Sequence, residues 1–196
     1  GNYSTGKMGF ALAKAAAKLG ADVTLISGPT SLSINDDYVK VINVITADQM
    51  FSEVKKHYES SEITIMSAAV SDFKPRSSFD KKIKKENKNL LSIELVENVD
   101  ILKYLGENKN NNQILVGFAL ETDNEVEHAK LKIQKKNLDA IILNSLNDKG
   151  AGFGHDTNKV TYINFSGTIQ KFKLKLKDEV AKDIFDQILT DFNEKI

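Results

Sequence analysis

Four short segments of this 196-residue chain carry residue types suited to binding or activating an anion. The first is Asn2-Tyr3-Ser4-Thr5-Gly6-Lys7-Met8-Gly9. Small residues at a helix start let an anion approach the backbone N–H groups. Gly1 to Lys7 fits the opening of a P-loop, GxxxxGK, but Met8 stands where a magnesium-binding Ser or Thr belongs. A plain helix cap explains the segment too. The second is Ser67-Ala68-Ala69-Val70-Ser71-Asp72-Phe73, small residues leaving an apolar run. Ligands of open α/β sheets sit beyond the carboxyl ends of strands, where Asp72 could accept ribose hydroxyls. An ordinary turn aspartate is the alternative. The third is Lys82-Ile83-Lys84-Lys85, a basic run that could close over phosphates or simply face solvent. The fourth is Gly117-Phe118-Ala119-Leu120-Glu121-Thr122 with Lys132 and Lys136 downstream. Phe118 at a strand end could lie against a base. Lys132 and Lys136, four apart, share a helix face and repel unless an anion or carboxylate intervenes. A solvated face is again the alternative.

These segments need elements to hold them. An alanine-rich run over Lys7–Leu19 closed by Gly20 predicts a buried helix. Val23–Ile26, Val39–Ile45 and Ile63–Ser67 predict strands, and Thr46 caps a helix to about Tyr58. Phe73–Lys88 is polar, contains Pro75, and predicts a mobile loop. Leu91–Val96 predicts a strand, and Asp100 caps a short helix ending near Leu105. After a turn at Asn108–Asn112, Ile114–Ala119 and Ala140–Leu143 predict buried strands flanking an amphipathic helix, Asn124–Lys136. Asn144–Asn158 predicts a polar loop. Val160–Asn164 and Ile169–Leu176 alternate around Ser166-Gly167, as a hairpin with one exposed face does. Asp178–Phe192 predicts a terminal amphipathic helix. Strands alternating with helices imply an α/β, Rossmann-like, doubly wound and mostly parallel sheet in a single domain. The GNYSTG loop runs straight into a helix and normally follows a strand. The expectation is a fragment lacking its first strand, and with it any preceding domain.

Composition narrows the function classes. Lys and Arg number 27, as do Asp and Glu, so no chain-wide basic field invites nucleic acid. With no cysteine and only His57, His128 and His155 far apart, a structural zinc site has no support. No apolar run approaches the roughly 20 residues of a membrane span. A cytoplasmic protein is expected.

Taken together and in order, NYSTGKMG, GADVTLISGPTSL, AAVSDFKP, KIKK, GFALET, KKNLD and NKVTYI resemble the phosphopantothenate–cysteine ligase (CoaB) domain of coenzyme A biosynthesis. The resemblance covers nearly the whole chain. It implies a Rossmann-like sheet whose first strand precedes Gly1, and a partner decarboxylase domain that would bring FMN. It implies a homodimer with sites near the interface. Phosphopantothenate, L-cysteine and CTP would be substrates, with Mg2+ present. The carboxylate is activated as an acyl-cytidylate, pyrophosphate leaves, and the cysteine amine displaces CMP. Eukaryotic relatives use ATP. By resemblance, Lys82 and Asn2 are catalytic, and Asn2, Ala68 and Ala69 border the intermediate. Met66, Ser67, Ala68, Asp72, Lys82, Phe118, Lys132 and Lys136 contact CTP, and Val96, Glu97, Asn98 and Val99 read the base through their backbone. Metal ligands stay open. Val99 and Leu120 depart from the family's usual proline or threonine and alanine. A NAD-dependent protein would need GxGxxG, which does not occur. A non-catalytic, dimerising or regulatory paralogue is the alternative.

Overall fold

The computed structural model describes residues 4–77, 92–121, 123–145 and 154–193. In chain order the elements are α1 (Lys7–Lys18), β1 (Val23–Ser27), β2 (Val39–Asn43), α2 (Ala47–Tyr58), β3 (Ile63–Met66), β4 (Phe73–Pro75), β5 (Leu95–Glu97) and α3 (Ile101–Glu107). There follow β6 (Ile114–Glu121), α4 (Glu125–Lys135), β7 (Ala140–Ser145), β8 (Thr157–Asn158), β9 (Val160–Asn164), β10 (Ile169–Lys171), β11 (Lys175–Leu176) and α5 (Lys177–Phe192).

Local chemistry sets several boundaries. Gly20 takes φ 90°, and the N–H groups of Gly20 and Ala21 return to Ala17 and Ala16 carbonyls. That left-handed turn satisfies the last carbonyls of α1. At the start of α2 the Thr46 hydroxyl accepts from the Gln49 N–H at 3.1 Å. The Gln49 side chain accepts in return from the Thr46 N–H at 3.2 Å. This reciprocal capping box satisfies two donors the helix itself cannot.

The central sheet has five strands in the order β10-β9-β7-β6-β3. β3, β6 and β7 run parallel, whereas β9 and β10 are antiparallel additions. Helices α1 and α5 cover one face, burying Leu12, Val116, Ile142, Tyr162 and Ile184. Helices α2, α3 and α4 cover the other, over Leu115, Ile141 and Leu143. This is the expected α/β architecture, with helices on both faces of a mixed, mostly parallel sheet.

Several expectations need correction. First, β1 and β2 form their own parallel pair and do not hydrogen-bond to the five-stranded sheet. α1 packs on both groups, so they share helices without sharing a ladder. β1 and β3 each pair on one edge only, and both line a single cavity. Second, Phe73–Pro75 is no loop. It pairs with β5, Phe73 opposite Glu97 and Pro75 opposite Leu95. Proline is tolerated because it ends a two-stranded ribbon. Third, β9 is nearly all buried, because β7 and β10 flank it and helices cover its faces. β10 is exposed, and the expected strand Ile169–Leu176 breaks after Lys171, because Lys175–Leu176 pairs with β8 instead of β9. Of the expected loop Asn144–Asn158, Asn144 and Ser145 extend β7 and Thr157-Asn158 form β8, while residues 146–153 lie outside the described residues.

Candidate active site

The parallel strands end on one side of the molecule, and a cavity of about 2010 Å³ opens there. Ligand pockets usually hold about 300–1,000 Å³. This one exceeds that because it joins the strand tips to the slot between β1 and β3.

The β3 tip supplies a small-residue platform. Ser67 is half-buried and Ala68 and Ala69 are exposed beyond Met66. Helix α1 can crowd this tip only because Gly9 lacks a side chain: a Cβ there would lie 3.2 Å from Ser67 Oγ. The next turn is pinned to β5. Asn98 Nδ2 donates to the Ser71 carbonyl at 2.8 Å, and the Asn98 N–H to the Asp72 carbonyl at 2.7 Å. Those bonds hold Asp72 at the rim with its carboxylate exposed to the cavity.

Lys132 and Lys136 come from the cavity-facing side of α4 and its C-cap. Each has its own carboxylate. Lys132 Nζ lies 2.5 Å from Glu121 Oε1, and Lys136 Nζ lies 2.8 Å from Asp100 Oδ2. The two lysines can therefore stand one turn apart with no bound anion. Burial acts to raise Asp100, but the Lys136 ammonium and the Lys103 N–H outweigh it and hold its carboxyl below the usual range. A lowered folded-state pKa stabilises the fold above the unfolded value and is lost as pH falls through the folded one. Asp100→Asn keeps a capping side chain but loses the ion pair. It should cost under about 1 kcal/mol at neutral pH, since the pair is partly exposed. Urea titrations should show that gap closing as pH drops below the ordinary carboxylate range.

Of the residues singled out from sequence, Met66, Ser67, Ala68, Ala69, Asp72, Glu97, Asn98, Val99, Phe118, Lys132 and Lys136 all line the cavity. Val96 does not: it sits opposite Lys74 inside the β4–β5 ribbon. Asn2, Lys82 and the rest of the lysine quartet lie outside the described residues. Phe118 needs a qualification. It packs with the α1–α5 side of the sheet, whereas α4 covers the opposite side. Phe118 and the two lysines can meet one ligand only across the crest of the strand tips. The P-loop alternative is left with Met8 where a magnesium-binding hydroxyl belongs. Lys7 Nζ donates to Asp156 Oδ1 at 2.6 Å, and Met8 packs against the core.

The chain matches, over residues 1–192, the family described as the DNA/pantothenate metabolism flavoprotein C-terminal domain. The chain belongs to that family. A relative from an unknown prokaryotic organism, named a cysteine/cysteine sulfinic acid decarboxylase, is 50% identical over 96% of this chain and 52% of its own length. The coenzyme A biosynthesis bifunctional protein CoaBC of Borreliella burgdorferi is 48% identical over 93% of this chain and 46% of its own. The crystal structure of the C-terminal domain of a CoaBC protein superposes with TM-score 0.80 at 38% identity, covering 98% of this chain and 86% of that one. The chain spans about half the length of the curated relatives it matches. Their names describe longer proteins.

In this flavoprotein C-terminal domain, Asn144, Asn158 and Lys177 also line the cavity, although none of them is among the site residues read from the sequence. Asn158 Nδ2 donates to Asn144 Oδ1 at 3.0 Å, bridging β8 to the end of β7. Lys177 is buried at the start of α5, and its ammonium donates to the His155 carbonyl. Burial and the nearby Lys7 push its pKa down, while Asp156 pulls it up. Asn144 carries the same signal as Phe118, a polar or aromatic residue at the end of an apolar strand. Lys177 carries none, because nothing in an amphipathic helix start marks a lysine as buried.

Proposed function

We propose that this chain is a phosphopantothenate–cysteine ligase domain that makes phosphopantothenoylcysteine by way of an acyl-cytidylate. One observation carries the reading: a small-residue strand tip, an unencumbered ribose-type carboxylate and two lysines border one cavity. The half-length match to CoaBC proteins supports it. In the proposed sequence a substrate carboxylate oxygen attacks the α-phosphorus of CTP. The bond to the bridging oxygen breaks and pyrophosphate leaves. The cysteine amine then attacks the acyl carbon, the C–O bond to CMP breaks, and the nitrogen gives up a proton. Splitting one hard displacement into two gives the acyl carbon a good leaving group.

The residues divide this work. Ala68 and Ala69 let the acyl-phosphate backbone come close. Asp72 accepts ribose hydroxyls, and the backbone of Glu97–Val99 is placed to read the base edge. Val99 and Leu120, both cavity-lining, set how the base packs. Lys132 and Lys136 take phosphate oxygens. Asn2 and Lys82 hold the intermediate and the developing charge, on the strength of the resemblance alone. Among the described residues no three His, Cys, Asp or Glu side chains converge. A hydrated magnesium needs only one or two protein carboxylates beside substrate phosphates, and the exposed, cavity-lining Glu97 is the carboxylate that would hold it. Bound there, it would supply neutralisation of phosphate charge.

No helix among the described residues is long and apolar enough to cross a membrane. The reading carries a cytoplasmic location with it, and FMN only through an attached decarboxylase domain. It also carries a homodimer. Phe73, Pro75, Ile93 and Leu95 alternate onto one face of the β4–β5 region, and all four are exposed.

The decisive experiment incubates the protein with phosphopantothenate, cysteine and each nucleoside triphosphate in turn. CMP and pyrophosphate from CTP are the expected products. CDP and phosphate would replace the acyl-cytidylate by an acyl phosphate. Carbon dioxide released from cysteine or its sulfinate would favour the activity named for the 50% identical relative. No turnover from a dimer, read by sedimentation equilibrium, would leave the regulatory paralogue.

A further inference from the structure

The two cavity lysines are not held alike, and the difference points to a residue outside the nucleotide contacts. Glu121 is the last residue of β6, with a side chain only 15% exposed. Its two oxygens face two side chains of α4: Oε1 lies 2.5 Å from Lys132 Nζ, and Oε2 lies 3.6 Å from His128 Nδ1. The carboxylate is thus anchored in the sheet while the lysine rises from the helix above it. Lysine is a flexible stem with three donors. Holding such a side chain in one geometry costs rotamer freedom that a fixed partner can offset before the ligand arrives. Glu121 occupies one donor and fixes the stem, and the remaining two donors stay available to the cavity that Lys132 lines. Asp100 meets Lys136 with both oxygens, at 3.1 and 2.8 Å from Nζ, but from the exposed rim. Its side chain is 46% exposed and is shared with the α3 cap.

We propose that Glu121 is a positioning residue that pre-orients Lys132 for the nucleotide phosphates. The inference rests on the ligase reading above. A merely structural ion pair would dock α4 on β6 and leave nucleotide affinity alone. The positioning role instead makes the effect of Glu121 pass through Lys132.

The test is a double-mutant cycle with CTP as the varied substrate and the cosubstrates saturating. Glu121→Gln should raise KM for CTP about tenfold, the usual scale for losing a hydrogen bond to a charged group, and the loss should fall on KM more than on kcat. Lys132→Ala should do at least as much. The double variant should match Lys132→Ala, since a residue acting through another adds nothing once that other is gone. Glu121→Asp, which keeps the charge, should recover part of the loss and serves if Glu121→Gln folds poorly. An unchanged or lowered KM in Glu121→Gln overturns the proposal, as do effects that multiply independently in the double variant. A wild-type protein that binds no CTP by calorimetry overturns the ligase reading and this inference together. A wild-type protein that binds CTP while Glu121→Gln binds it equally well overturns positioning alone.

Discussion

Lys82→Ala should fold like the wild type and turn over about a hundredfold to a thousandfold more slowly, the scale of removing one preorganised charge-stabilising donor. Lys82 is assigned by resemblance, as the first lysine of the Lys82-Ile83-Lys84-Lys85 run, and it lies outside the described residues. The physical case is that attack on an α-phosphate builds negative charge beside cavity cations that are already engaged: Lys7, Lys74, Arg76, Lys132 and Lys136 each pair with a carboxylate, and Lys177 is buried against the His155 carbonyl. A further cation that binds the transition state more strongly than the ground state would lower the barrier, and its loss should fall on kcat. Lys81, Lys84 and Lys85 provide the control. If the run acts only as a diffuse positive field, each single alanine variant should cost little and equally, and the loss should shrink as salt rises. If one lysine touches the reacting phosphate, Lys82→Ala alone should stand out at any ionic strength. Pyrophosphate release and thermal unfolding on the same samples decide between them. Wild-type rates in Lys82→Ala would remove it from the mechanism.

What the sequence makes legible here is what is local. The Thr46 cap, the Gly20 stop and the three parallel strands of the central sheet all follow from residues within a few positions of each other. The hydrogen bonds of the structure bear them out. Misreadings occur where a distant element decides. Phe73–Pro75 reads as a loop because proline and polar neighbours argue against a strand, and only pairing with β5, some 20 residues on, makes it one. The strand β9 alternates as though one face met solvent, yet helices on both sides of the sheet bury both. The site shows the same division. Strand tips and small residues mark Ser67, Ala68, Ala69 and Asp72 directly. The carboxylates that neutralise Lys132 and Lys136 cannot be read from spacing, because Glu121 lies on a strand and Asp100 on a different helix cap. Which face of the sheet Phe118 occupies is equally invisible until the helices are placed.

Gly106→Ala should be the most damaging conservative substitution in the fold. Gly106 lies in α3 where that helix meets the end of α4, and an added Cβ would stand 1.8 Å from the Lys136 carbonyl oxygen and 2.7 Å from its carbon. Both are backbone atoms, so no side-chain rotation relieves the clash. The contact is further locked by Asn137, which takes φ 49° and donates from Nδ2 to the Gly106 carbonyl at 2.8 Å. Either helix must shift, and overpacking of this kind costs about 1–3 kcal/mol or more. Glycines elsewhere separate this clash from other effects. Gly20, at φ 90° with nothing within 4 Å, should lose stability through backbone strain alone on conversion to alanine, on the order of 1 kcal/mol. Gly28 has ordinary φ and open space, so its alanine variant should be close to neutral. Urea unfolding should therefore rank Gly106 well above Gly20, and Gly20 above Gly28. The consequence reaches the site, because the residue pushed by the new methyl is Lys136, whose ammonium pairs with the Asp100 cap of the same α3. Where Gly106→Ala remains folded, KM for CTP should rise, whereas Gly20→Ala should leave it unchanged. A Gly106→Ala protein within about 0.5 kcal/mol of wild type, the margin usual for surface substitutions, would mean that α3 and α4 do not meet as closely as their backbone positions require.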